Sequence, residues 1–326
     1  MKWLNYRFIV IAFVFCFSAL LHANQPIDEL TPEQAYLQGM LLYQQNKYTQ
    51  ARPLLKHAAD QGYPAAALMY ADTFYANLFI QTERETEYNV IAAEMGSIYG
   101  MLRSGGRRSL SSESGLWKTK STRIINNLAE QGNSFAMRLL YASIDDSDNS
   151  DYWLKKAAEA GDPFSQHELA RRYEMGDYWF LIPGKREKEI ERLLKTAADS
   201  GYWPAMRAYA YLLQDRGDIK GYQAIIDELL EVGDAAVIRA LGSYYRTNKN
   251  EELSAYYYKI YVDAMGQEGQ ESSHETVKFF YDEVSKSLTP EQVKQVDLKV
   301  QQYLKTHTVR YQKRIKDYEY TLDSFQ

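Results

Sequence analysis

Apolar residues recur along most of this chain at spacings of three and four. Leu37, Leu41 and Leu42 form one stripe, and Ala51, Leu54, Leu55 and Ala58 the next, with polar residues between. Positions three and four apart share a side only on a helix of 3.6 residues per turn, so the pattern predicts amphipathic helices. Residues 153–176, WLKKAAEAGDPFSQHELARRYEMG, show the unit most plainly. Ala157 and Ala158 precede Gly161, and Leu169, Ala170 and Tyr173 then resume helical spacing. This reads as a helix, a glycine stop and a second helix, because the residue just past a helix often takes a left-handed backbone that glycine adopts without strain. The phrase returns at 55–62 and 194–201. No stretch alternates apolar and polar residues as a half-buried strand would.

Equivalent stops fall at Gly62, Gly96, Gly132, Gly161, Gly201, Gly233 and Gly266, at intervals of 34, 36, 29, 40, 32 and 33 residues that average 34. A repeat of that length is one helical hairpin that cannot bury its apolar face alone, so hairpins stack. The first helix opens at Thr31-Pro32-Glu33-Gln34, a capping box with proline at the first position, and should reach about Gln45. Three segments interrupt the period: a glycine- and serine-rich loop at 104–115, an acidic hydrated turn at 145–151, and an apolar loop, DYWFLIPGK, at 177–185. After Gly266 come a polar connector at 267–273 and a helix near 275–286. Leu288-Thr289-Pro290-Glu291-Gln292 then repeats the opening pentad and should cap a helical run toward Phe325.

Trp153-Leu154-Lys155-Lys156-Ala157-Ala158-Glu159-Ala160-Gly161-Asp162 resembles the second helix and stop of the Sel-one-like repeats, relatives of the tetratricopeptide repeats. Ser165-Gln166-His167-Glu168-Leu169, and Tyr173 through Gly176, resemble the ends of that family's first helix. The resemblance is closest over 150–215, covers 34–75 and 118–142 less well, and fades after 250. Most units lack the family's second loop glycine and the tryptophan that opens its second helix. It implies an all-α, right-handed solenoid of about six stacked helix pairs. The expected organisation is a signal at 1–23, a short leader at 24–30, repeats over 31–266 and C-terminal capping helices over 267–326.

Composition changes this picture in two places. The first residues carry Lys2 and Arg7, an apolar core at 8–21 and a small-residue exit at Ala23, which reads as an export signal cleaved before Asn24. Fourteen apolar residues are short for a bilayer, so no stable membrane span is expected after cleavage; retention as an anchor, or lipidation at Cys16, are the alternatives. Cleavage would remove the single cysteine, leaving no disulfide and no thiolate metal site. It would also move the formal charge from −5 to −7, which argues against nucleic acid. The second feature is tyrosine, 28 residues, more than a helical core uses.

No catalytic, cofactor or metal residue is assigned. His167-Glu168 invites comparison with zinc proteases, yet Arg171 stands where the second histidine belongs. His57, His274 and His307 share no spacing, Gly105-Gly106-Arg107-Arg108-Ser109 does not fit a phosphate loop, and no serine sits in a glycine-flanked elbow. The candidates for partner binding are Arg107 and Arg108; Tyr178, Trp179 and Phe180, which could instead fold back on their own groove; and Tyr256, Tyr257, Tyr258 and Tyr261. Tyrosine and tryptophan bury much area at modest entropy cost, which favours them at interface centres. Arg310, Lys313, Arg314 and Lys316 read as a solvated helix face.

With the export signal, the resemblance implies a non-catalytic, periplasmic protein-binding module. The partner would be a secreted toxic effector of a type VI secretion system, lipase-type, held inactive by an immunity protein. The alternatives are a component of envelope assembly, serving polysaccharide export or a motor, and an envelope hydrolase.

Overall fold

The computed structural model describes residues 26–76, 79–143, 147–269 and 273–312. The export signal and its cleavage point after Ala23 lie outside these residues, as do Lys313, Arg314 and Lys316. Among the described residues a short 3-10 turn, Ile27–Glu29, precedes sixteen α-helices. They form seven antiparallel pairs: α1 (Pro32–Gln44) with α2 (Tyr48–Asp60), α3 (Pro64–Asp72) with α4 (Glu83–Glu94), α5 (Ile98–Ser104) with α6 (Ser114–Glu130), α7 (Ser134–Ser143) with α8 (Ser147–Glu159), α9 (Pro163–Met175) with α10 (Lys185–Asp199), α11 (Trp203–Asp215) with α12 (Ile219–Glu231), and α13 (Ala235–Thr247) with α14 (Glu251–Ala264). Two further helices, α15 (His274–Ser285) and α16 (Pro290–Thr306), both pack on α14. Each helix packs on the next in the chain through the pairs, as in a solenoid, except that α12 and α13 meet only weakly.

Six of the expected stops are built alike. Three residues join each pair to the next, and the central glycine has a positive φ: Gly62, Gly96, Gly132, Gly161, Gly201 and Gly233. The N–H after each glycine donates to the carbonyl five residues back, as Tyr63 does to Ala58 at 3.0 Å and Asp162 to Ala157 at 2.9 Å, closing the helix end in a Schellman motif. The alanines before the stops (Ala58, Ala59, Ala92, Ala157, Ala197) are fully buried, and their small size lets neighbouring helices approach.

Four expectations need correction. There are seven pairs, not six. Gly266 is not a seventh stop: it lacks the positive φ, α14 ends in extended backbone at Met265, and the Gly266 N–H donates to Gln45 at 2.6 Å. The acidic stretch after residue 146 opens helix α8 instead of forming a turn. Finally, α16 begins with the expected capping box at Thr289 and Gln292 but stops at Thr306, and residues 307–312 continue as an extended strap that includes Arg310.

That strap and the connector after α14 bring the ends of the stack together. Glu268 accepts from the N–H and hydroxyl of Thr49 at 3.0 and 2.8 Å, and its own N–H donates to Asn46 at 3.2 Å. Helix α2 starts after Lys47, which offers no side-chain cap. Its free N-terminal N–H groups therefore find their acceptor 219 residues away.

Candidate partner-binding surface

The pairing places all glycine joints on one edge of the solenoid and all crossings within pairs on the other. Two of the interruptions noticed in the sequence lie at crossings, 105–113 and 176–184, and a third long crossing, 73–82, was not singled out there.

At 176–184 the chain leaves α9 through Gly176 and enters α10 through Gly184, both with positive φ. Between them it bends at 178 and again at 181–182. Tyr178 and Phe180 turn inward and meet Tyr173 edge-on, with ring centroids 5.2 and 5.0 Å away. Arg186 donates to the Tyr178 carbonyl at 2.6 Å and covers the Phe180 ring at 5.5 Å, while the Lys155 ammonium lies 4.1 Å from the Tyr178 ring centroid. Burial pushes the Tyr178 hydroxyl up to about 12. Arg172, ion-paired to Asp151, donates to that hydroxyl at 3.4 Å. Trp179, Leu181 and Ile182 face water at 84%, 79% and 60% exposure, beside exposed Met175 at the end of α9. The loop thus combines both readings of its sequence: half of it folds back, and this fixes the other half in solvent. Large apolar side chains held out on a braced loop stand to gain roughly 1.5–3 kcal/mol each when a partner covers them.

The glycine- and arginine-rich crossing divides differently. Arg108 turns inward, 3.2 Å from the buried Glu85 carboxylate and 4.6 Å over the Tyr75 ring. Glu85 also meets Arg103 at 3.3 Å, and Arg103 reaches buried Asp72 at 2.6 Å. Burial opposes the charge on Arg103, but Asp72, Tyr99 and Glu85 outweigh it and hold the guanidinium protonated. The loop backbone is tied down as well, because Gln81 donates to the carbonyls of Arg108 at 2.8 Å and Arg103 at 3.2 Å. Of the two arginines, Arg107 is the one exposed on the surface.

With this geometry in hand, comparison with known proteins adds the following. No family model and no curated protein matches the sequence. Among solved structures, the chain is similar to a protective antigen present in uropathogenic Escherichia coli strains displaying an SLR fold, at 21% identity and a TM-score of 0.47, over 85% of this chain and 62% of the antigen. It is similar to a Sel1 repeat protein from Oxalobacter formigenes at 16% identity and a TM-score of 0.37, covering 87% and 90% of the two chains. An immunity protein from Pseudomonas aeruginosa aligns at 16% identity and a TM-score of 0.33, over 78% and 86%. The described residues themselves show a solenoid of stacked helical hairpins.

The tyrosine cluster of α14 calls for a correction. Tyr258 and Tyr261 are 1% and 0% exposed and cannot touch a partner. Alpha-helical spacing spreads these tyrosines over more than one face, and α13, α15 and α16 all pack on α14 and cover them. Gly242 has no Cβ where the Tyr258 ring lies, and the Tyr261 hydroxyl meets that of Tyr311 at 3.0 Å. Tyr256 and Tyr257 are half-buried; Tyr257 stacks on Tyr245 at 5.6 Å, and burial pushes its hydroxyl up to about 12.

Sequence reasoning missed the strap. It also missed a cleft of about 640 Å³ between α13 and α15, lined by Arg239, Ser243, Tyr244, Thr276 and Phe280. Among the described residues no group of three or more His, Cys, Asp or Glu is placed to hold a metal, and no helix is long and apolar enough to cross a membrane.

Proposed function

We propose that the protein acts by binding another protein, without catalysis, through the crossing edge of its solenoid. The observation that carries this is the braced loop with Trp179, Leu181 and Ile182 held in water. Its inward half supplies the rigidity: Tyr178, Phe180 and Arg186 fix the backbone before a partner arrives, which lowers the ordering cost of association. The partner is a secreted toxic effector of lipase type, neutralised in the periplasm. This finer reading rests on the Sel-one-like resemblance and on the apolar leader at 1–23.

The test is co-expression of the candidate lipase-type effector, directed to the periplasm, with the wild-type protein or with Trp179→Ala. The wild type should protect the cells and capture the effector. Trp179→Ala should lose on the order of 30-fold in affinity, the share of a central aromatic anchor worth about 2 kcal/mol. Unchanged capture by Trp179→Ala would remove the loop from the interface. Capture of a polysaccharide-export or motor component instead would replace the immunity reading with an assembly role.

A further inference from the structure

We propose that the groove now filled by residues 308–312 is a docking site for an extended segment of a partner protein, which enters by displacing the chain's own strap. The inference rests on the protein-binding reading above, but not on the Trp179 loop.

The first support is a seam in the stack. Among the described residues, α12 and α13 are the only consecutive helices of the seven pairs that barely touch. The strap runs beside the joint between them. Arg310 donates from its N–H to Gly233 at 3.0 Å and accepts from Ala235 at 3.0 Å, forming an isolated parallel bridge with Asp234. Gly233 suits this position doubly: its φ is positive, and a Cβ there would strike the Thr308 carbonyl.

The second support is how the strap is read. The groove presents backbone: the carbonyls of Gly233, Gln44 and Gly201 and the N–H groups of Ala235 and Trp203. Trp203 is the first residue of α11, whose cap position is Tyr202 with no side-chain cap; Gln312 supplies the missing acceptor at 2.7 Å. The strap's own backbone makes the bonds at Gly233, Ala235 and Gln44, which any strand of suitable length could make, whereas the Gln312 side chain makes those at Gly201 and Trp203; selection falls to that amide and to a few pockets. Here Val309 is buried in the core cluster of Ala235, Ile238 and Tyr261. Arg310 lies 5.6 Å from the Trp203 ring centroid, and Tyr311 reaches the Tyr261 hydroxyl. The kind of segment that fits therefore carries a β-branched aliphatic residue, a cation, an aromatic and a side-chain amide in succession.

The third support is that the ring does not depend on the strap alone. Gly266 and Glu268 tie α14 to the first hairpin through Gln45, Asn46 and Thr49, so the strap can leave while the ends stay joined.

The test uses the full chain and a fluorescein-labelled peptide, Lys-Thr-His-Thr-Val-Arg-Tyr-Gln, identical to residues 305–312. Val309→Asp should expel the strap and bind the peptide at least ~10-fold more tightly than wild type does, by fluorescence anisotropy, and a peptide with Asp in place of its valine should not bind. Equal or absent binding in a folded variant overturns the proposal. Should Val309→Asp fail to fold, hydrogen exchange on the wild type decides. The Arg310 and Tyr311 amides should exchange at least ~100-fold faster than those of Val296 and Val300 in α16. Equal protection would make the strap a permanent strut and overturn the idea. Failure here with Trp179-dependent capture intact removes only this inference, whereas peptide binding with Trp179→Ala still capturing the effector removes only the loop.

Discussion

The two edges of the solenoid both reverse the chain between helices, but only one of them does so by a single means throughout. On the joint edge, six three-residue turns repeat one backbone geometry, each built on a glycine with positive φ and a bond to the carbonyl five residues back. On the crossing edge, among the described residues, only the three short crossings, 45–47, 216–218 and 248–250, repeat that three-residue turn, with Asn46, Gly217 and Lys249 at the positive φ. The long crossings, 105–113 and 176–184 among them, share no one geometry and are held by whatever side chains are at hand: a buried ion network at one, edge-on aromatics and an arginine at the other. The joint edge sets the register of the stack and tolerates little variation. The crossing edge is free to differ from repeat to repeat, and so it is where a partner-specific surface can be built.

The heaviest blow to this contrast is aimed at the ion network. Glu85 is fully buried and serves both Arg103 and Arg108, so Glu85→Ala takes this carboxylate from Arg108 and leaves Arg103 with its Asp72 pair in a largely desolvated site. Breaking a buried pair from one side costs about 3–5 kcal/mol. Urea unfolding should show a loss of that order, with Arg108→Met in the same chain recovering part of it. A loss below about 1 kcal/mol would mean that the crossing is not pinned by charge, since that is the scale of exposed pairs.

On the joint edge the cost has a purely backbone origin. A Cβ at Gly161 would meet nothing within 4 Å, but φ is +91°. Gly161→Ala should therefore cost the left-handed penalty alone, roughly 1–2 kcal/mol. The same change at Gly132, equally open and at the same φ of +91°, should cost the same. Unequal losses by thermal unfolding would show that the joints are not equivalent.

The difference between the edges also explains what could be read from the sequence. A glycine joint is local: the residue, its φ and its bonding partner lie within six positions, so the period was legible. The inward and outward side chains of 178–182 were not separable, because which of them turn in depends on Tyr173 receiving Tyr178 and Phe180. Tyr258 and Tyr261 looked surplus because α15 and α16, which bury them, do not follow the repeat. The ring closure was hidden by distance, with Glu268 capping α2 across 219 residues and Gln312 capping α11 across 109. A trace of it was present all the same. Ser97, Asp162, Asp218, Asp234 and Asn250 cap their own helices, whereas Lys47 and Tyr202 stand at cap positions they cannot fill. A helix start with no local acceptor leaves N–H groups that one from elsewhere can satisfy, but Tyr63, Glu113 and Gly184 also open helices without a side-chain cap, so this trace did not single out the closure.

The smallest expected effect sharpens the contrast most. Trp179 makes none of the bonds that brace its loop; those belong to Tyr178, Phe180 and Arg186, and the indole is 84% exposed. Trp179→Ala should leave stability within about 0.5 kcal/mol of wild type, as surface substitutions away from special features do. Arg186→Ala removes the donor to the Tyr178 carbonyl and the cover over Phe180, and should cost more than Trp179→Ala although it deletes no large apolar surface. Thermal unfolding of the two variants side by side checks the order. If Trp179→Ala proves the more destabilising, the tryptophan belongs to the fold and not to a partner. If the order holds, the side chain whose loss the protein does not feel is the one that effector capture should miss.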